Sequence, residues 1–292
     1  MQRHCSVLGS VVGCLALGLA LSACGGDGDA GGNKPNGFTA STTPGCKRGL
    51  AWPGKALTDA DTAHGLSWWY NWSSGAEGSV PGVVFEPMVR AKGDIDGKRV
   101  HAAQQAGAQN LLGFNEPNFF AQANLSAEEA AGLWPQLQAI ADTEKLGLVG
   151  PAVNFCGDDK SKTGPCHDTN PVSYLDHFFA ACAGCRVDFV AVHWYNCDVD
   201  SLKWYLGQFA KFGRPIWLTE FACAYGGDSS PAGQEKYMRE AIPVLEDDPN
   251  VFRYAWFSAD PIPGAQLLDA SGKLNALGRV YVGLPHGKSC GD

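Results

Sequence analysis

The chain lacks an excess of positive charge, an apolar run long enough to span a bilayer, an internal repeat and a paired set of zinc-binding cysteines. Its 22 Lys and Arg stand against 30 Asp and Glu, a formal net charge of −8, so nothing in it recruits nucleic acid. The run from Val7 to Leu21 is too short for a comfortable membrane span. Without a repeat of about 20 to 50 residues, solenoids and propellers drop out. A single Cys-x-x-Cys, Cys182 to Cys185, with Cys166 or His167 as a further ligand, falls short of the two paired clusters of a structural zinc site. The expectation is no metal and no organic cofactor.

What is present begins with an export signal. Arg3 and His4 precede the apolar run, which ends Leu21-Ser22-Ala23-Cys24, the plan of a secretory leader. A small-residue ending followed at once by cysteine resembles a bacterial lipobox. Residues 1–23 are therefore read as a lipoprotein-type signal peptide, and Cys24 as the lipidated residue of an exported protein held at the membrane surface of the cell envelope. A plain cleaved signal and secretion is the alternative. Residues 24–45, rich in Gly, Asn, Thr and Ser, are read as a flexible tether that buries too little to fold. Residues 46–292 form the folded domain, of a length that suits one α/β barrel, with no reason to expect more than a monomer. Beyond the tether eight cysteines remain, and an even number in an exported chain reads as four disulfides. Spacing does not fix their connectivity. Cys156 with Cys166 would close a local loop, Cys46 with Cys290 would tie the ends of the domain, and Cys197 with Cys223 would bridge the loops after two strands, leaving Cys182 with Cys185.

Eight short apolar runs bounded by Gly, Pro and Asn are candidate strands: 48–52, 66–72, 83–89, 110–115, 147–151, 187–195, 216–221 and 252–257. Most are apolar on both faces, as in a parallel sheet covered by helices. Helical patterns over 126–144, 171–183, 200–212 and 231–245 alternate with the later runs. Ser126 with Glu129 makes a capping box, and Asn170-Pro171 and Ser230-Pro231 each set a capping residue before a proline. A βα series of eight strands with right-handed crossovers closes into a single (β/α)8 TIM barrel of the α/β class. The connections 53–65 and 73–82 are short and lack helical periodicity.

In such a barrel the chemistry gathers at the carboxyl ends of the strands. Two apolar runs end there in a carboxylate: Leu-Leu-Gly-Phe-Asn115-Glu116-Pro and Pro-Ile-Trp-Leu-Thr-Glu220-Phe. Two facing carboxyls, one protonated and one ionised, are the minimal machinery for cleaving a glycosidic bond. Around them Trp52, Tyr70, Trp72, His193, Tyr195 and Trp256 offer aromatic faces for sugar rings and polar groups for hydroxyls. Glu86 is read as a sugar-hydroxyl ligand or a structural partner. Trp134, Trp204 and Trp217 are assigned to packing, and alternation points Trp194 away from His193 and Tyr195.

The motifs Gly-Phe-Asn115-Glu116-Pro-Asn, Val-Asp-Phe-Val-Ala-Val-His193-Trp-Tyr195 and Trp-Leu-Thr-Glu220-Phe-Ala-Cys together resemble glycoside hydrolase family 128 of clan A, over essentially the whole of 46–292. The resemblance implies a retaining β-1,3-glucanase that acts by double displacement on a β-glucan polysaccharide or oligosaccharide. It implies Glu116 as acid/base, Glu220 as nucleophile, Asn115 on the 2-hydroxyl of the sugar under attack and Tyr195 bonded to the nucleophile. Endo action is preferred. Many clan A relatives bring an arginine to the nucleophile from strand two, whereas Ser-Trp68-Trp69-Tyr70-Asn71-Trp72 has none and leaves Glu220 to neutral donors. Two other readings stay open: a non-catalytic β-glucan-binding barrel, and a clan A glycosidase acting on another β-linked polysaccharide.

Overall fold

The computed structural model describes residues 39–41, 45–157, 165–260, 262–287 and 290. Residues 1–23, read as a signal peptide, and Cys24 lie outside the described residues. Eight strands are formed: β1 (Arg48–Ala51), β2 (Trp68–Tyr70), β3 (Val84–Phe85), β4 (Asn110–Leu112), β5 (Gly147–Val153), β6 (Phe189–Asn196), β7 (Ile216–Tyr225) and β8 (Val251–Phe257). Each overlaps one of the apolar runs. They pair in parallel in the order β3-β2-β1-β8-β7-β6-β5-β4. The two outer strands meet just past β3, where Leu112 N donates to Pro87 O and Val89 N to Leu112 O, both at 2.9 Å. The result is a curled parallel sheet consistent with a (β/α)8 barrel.

The helices are α1 (Gly97–Gln105), α2 (Ala127–Glu144), α3 (Pro171–Ala181), α4 (Val199–Gly207), α5 (Pro231–Asp247) and α6 (Ala276–Gly283). The caps expected for α2, α3 and α5 are all made, by Ser126 with Glu129, by Asn170 and by Ser230. The pattern expected over 200–212 is α4 followed by a 3-10 turn, Ala210–Phe212. Helices α1 and α6 leave little trace in the sequence. Only Val100 and Ala103 of α1 are buried, and only Gly278 and Tyr281 of α6, stripes too narrow to register as a period.

Strand alternation divides the core in two. Ala51, Trp68, Tyr70, Phe189, Ala191, Trp217 and Ala255 fill the inside of the curl. Leu50, Trp69, Val190, Val192, Leu218, Tyr254 and Trp256 pack outward with the helices. Ala40, within the stretch read as tether, belongs to the inner cluster. A small side chain is admitted there because Gly147 has none; a Cβ at 147 would come within 3.1 Å of that of Ala40.

Four disulfides join Cys46 to Cys290, Cys156 to Cys166, Cys182 to Cys185 and Cys197 to Cys223. The zinc alternative is thereby lost, since Cys166, Cys182 and Cys185 are all oxidised. Arg48 does similar work without a covalent bond. Its guanidinium is buried and donates to Tyr254 Oη at 2.9 Å, Tyr281 O at 2.7 Å, Leu284 O at 2.9 Å and Pro285 O at 2.6 Å. It also pairs with Glu246 at 3.3 Å, so β1, α5 and α6 converge on one cation. Arg48→Ala should lower the unfolding free energy by on the order of 3–5 kcal/mol in a urea titration, because it strands a largely buried carboxylate and three carbonyls. A loss under about 1 kcal/mol, the range of a surface pair, would contradict this role.

Candidate active site

A cleft of about 750 Å³ lies at the carboxyl ends of the strands, lined among others by Trp72, Arg90, Asn115, Glu116, Phe119, Gln122, Asn154, Tyr195, Glu220, Tyr225, Phe257 and Asp260. Glu220 reaches it through a bulge. Val192 of β6 pairs with Leu218, yet His193 pairs with Glu220; on the other side Leu218 pairs with Tyr254, yet Phe221 pairs with Trp256. One extra residue is thus taken up in β7 around Thr219. Trp217 points in and Leu218 out, so strict alternation would turn Glu220 outward. The bulge reverses the phase, sending Phe221 to the outer layer and Glu220 into the cleft.

Glu116 is placed by strain. Its φ is +41°, and Trp72 has φ +57°; these are two of only four non-glycine residues with positive φ among the described residues. For Glu116 the cost is compounded by Pro117, because a residue before proline favours extended backbone. The bond from Glu116 N to Ala152 O at 2.8 Å helps hold the turn. Strained backbone of this kind concentrates at functional sites.

The two carboxyls meet across one imidazole. His193 Nδ1 is 2.9 Å from Glu116 Oε1 and 3.2 Å from Glu220 Oε2, and the three facing atoms lie within 4.8 Å of one another. They form the one trio among the described residues with metal-ligand chemistry, and His193 Nδ1 stands between the two carboxyls. Glu116 Oε1 also accepts from Asn154 Nδ2 at 3.0 Å. Glu220 Oε1 accepts from Trp72 Nε1 at 2.7 Å and Tyr70 Oη at 3.3 Å, and Oε2 accepts from the Tyr195 hydroxyl. Among the described residues no arginine bonds Glu220, and the indole and two phenols are its hydrogen-bond donors.

Burial pushes the Glu116 carboxyl up, but the bond and charge of His193, the bond from Asn154 and the field of Arg90 outweigh it and hold the group below its ordinary value. Glu220 is raised: burial and the charge of Glu116 prevail over His193, Tyr195 and Trp72. Burial lowers His193, while the fields of both carboxylates and the Glu116 bond pull it upward and win. Nε2 of His193 and Oδ1 of Asn115 are buried without a partner. The first bears on the charge of the imidazole; the second leaves an acceptor free in the lining of the cleft.

Other sequence-predicted residues lie elsewhere. Trp256 packs outward against Phe221, with Nε1 donating to Ala265 O. By the same alternation Phe257, not Trp256, enters the cleft. Trp52 also turns outward, onto Trp69. Glu86 points inward but at the level where β4 begins. It accepts from the backbone of Gln109 and Asn110 and pairs with Arg253 at 2.7 Å, so it is a structural partner and no sugar ligand. Tyr70 is fully buried beneath Glu220, which makes it a support for the carboxylate and not a wall of the cleft. Trp134 and Trp217 are core residues as assigned, whereas Trp204 is 58 % exposed on α4. Asn154 enters the cleft after β5, as its place at a strand end leads one to expect, whereas Arg90, Phe119, Gln122, Tyr225 and Asp260 carry no signal in the sequence. Arg90, Phe119, Gln122 and Asp260 lie on loops and Tyr225 ends β7 beyond its bulge, while Phe257 could have been found by counting from Ala255.

Comparison with known proteins completes the picture. The family described as the glycosyl hydrolase catalytic core matches residues 49–281. Among solved structures, an endo-β-1,3-glucanase of glycoside hydrolase family 128, subgroup II, from Sorangium cellulosum is 41 % identical and superimposes with a TM-score of 0.71, covering 83 % of this chain and all of that one. A subgroup II endo-β-1,3-glucanase from Pseudomonas viridiflava is 34 % identical with a TM-score of 0.69, over 82 % of this chain and 98 % of that one. Alkali-sensitive linkage protein 1 of Schizosaccharomyces pombe is 32 % identical over 251 residues, which are 81 % of this chain and 44 % of that protein. The chain thus spans under half the length of that curated relative. With its curled parallel sheet, its carboxyl-end cleft and these matches, the chain belongs to the glycosyl hydrolase catalytic core family, within glycoside hydrolase family 128.

Proposed function

We propose that the protein is a retaining endo-β-1,3-glucanase working by double displacement, with Glu116 as acid/base and Glu220 as nucleophile. The observation that supports the mechanism is the closeness of the two carboxyls: one oxygen of each lies within 4.8 Å of the other, nearer to the separation of roughly 5–5.5 Å used for direct attack than to the roughly 6.5–9.5 Å of an inverting site. The substrate reading is supported by the glucanase relatives, one of which, from Amycolatopsis mediterranei, is known in complex with laminaritriose. Endo action is favoured because the subgroup II endo enzyme shares 41 % identity, against 29 % for a curdlan-specific exo enzyme.

The roles follow from proton accounting. A donor at position 116 must be protonated, yet His193 depresses it in the empty cleft. That depression comes in part from the bond and charge of His193, beside the Asn154 bond and the field of Arg90, and weakens as the imidazole loses its charge. Protonation of Glu116 removes one of the two carboxylate charges that pull His193 upward and so favours a neutral imidazole beside a protonated donor. Glu116 Oε2 accepts no bond among the described residues and is the atom from which the proton leaves. Both oxygens of Glu220 accept bonds from neutral donors, an arrangement that suits a carboxylate. After attack and departure of the leaving group, Glu116 is ionised and takes a proton from the water that releases the glycosyl group. Four disulfides favour an oxidising compartment, in keeping with export and lipid attachment at Cys24.

Hydrolysis of linear β-1,3-glucan should be followed by release of reducing ends. Glu220→Gln should lower it by at least about 10³-fold while laminari-oligosaccharide binding persists; binding with no wild-type turnover would identify a binding module. In the pH profile of kcat/KM, the acid limb should lie above 4.5, the ordinary glutamate value from which burial raises the group that must be ionised to attack. A limb at or below 4.5 would assign the attack to another group. Cys24→Ser should move the protein from the membrane fraction to the medium, and unchanged fractionation would exclude the anchor.

A further inference from the structure

We propose that Trp72 is a positioning residue for the nucleophile, its indole N–H fixing Glu220 Oε1. The inference rests on Glu220 being the nucleophile. Three independent features single out this tryptophan. Its Nε1 makes the shortest bond to Glu220 Oε1, 2.7 Å against 3.3 Å from Tyr70. Its backbone is left-handed at φ +57°, a conformation that a bulky side chain adopts only when its surroundings impose it. Its ring is wedged between Tyr70, at 5.2 Å, and the edge of Phe257, at 5.7 Å, so the N–H has little freedom to swing away.

The same indole lines the cleft. It therefore has its N–H on the nucleophile while also bordering the space a sugar would enter. A residue acting only as a sugar platform needs the face and not the N–H; a positioning residue needs the N–H. Tyr70 cannot replace it, because its hydroxyl is shared with Thr219 O at 3.1 Å.

Trp72→Phe separates the two roles by keeping an aromatic face and deleting the donor. Loss of a bond to a charged group should lower kcat by on the order of 10- to 100-fold, with KM for laminari-oligosaccharides changed less than about 3-fold and the acid limb moved to higher pH. Raised KM with an unmoved limb would overturn the proposal and leave Trp72 a platform. A measurement on the unmutated protein guards against a misfolded variant and against an error in the substrate. The Trp72 indole N–H resonance, assigned by its loss in Trp72→Phe or by its contacts to Phe257, should titrate with the Glu220 carboxyl and cease to do so in Glu220→Gln. An indole signal indifferent to that carboxyl would sink the inference even if the protein hydrolyses glucan. A titrating signal in a protein inactive on glucan would keep the inference and remove the substrate.

Discussion

Two carboxyls and one imidazole share a space that water barely reaches, and burying like charges this close is costly unless neighbours offset it. Much of the cleft follows from that constraint. Glu116 and Glu220 cannot both be ionised beside a neutral histidine without strong repulsion, so protons are distributed over the trio and not owned by single residues. The supporting bonds divide accordingly. Glu220 is surrounded by the donors of Trp72, Tyr70 and Tyr195, while Glu116 engages one oxygen with Asn154 and His193 and has no bond to the other among the described residues.

Bringing the trio together requires departures from regular structure. The extra residue in β7 turns Glu220 inward, and the left-handed turn at Glu116 rotates its side chain against the preference set by Pro117. Such distortions persist because the frame around them is rigid. The disulfide between Cys197 and Cys223 joins the ends of β6 and β7, the strands that carry His193 and Glu220. Stability is thus invested next to the chemistry as well as in the distant cluster around Arg48.

Much of this was legible in the sequence, because a parallel sheet inside a helical shell writes each strand as an apolar run and each helix start as a cap. The eight strands, helices α2 to α5, and the positions of Glu116, His193, Tyr195 and Glu220 at strand ends can all be read that way. Errors arose where side-chain phase decides the matter. Trp52 and Trp256 have the right chemistry for a sugar platform but the wrong parity on β1 and β8, whereas Phe257 has the right parity. Glu86 has inward parity yet sits too low, since the stagger between β3 and β4 sets its level against Asn110. The bulge at Thr219 is invisible to a pattern of alternation, and the loop residues Arg90, Gln122 and Asp260 enter through tertiary structure alone.

The central claim is that Glu220 attacks the sugar directly. A 2-deoxy-2-fluoro laminari-oligosaccharide fluoride slows breakdown of a glycosyl-enzyme, so incubation followed by proteolysis and mass spectrometry reads out the attacked residue. The account predicts one glycosyl adduct on the peptide containing Glu220. An adduct on Glu116, or none in enzyme that turns over unmodified glucan, would contradict it.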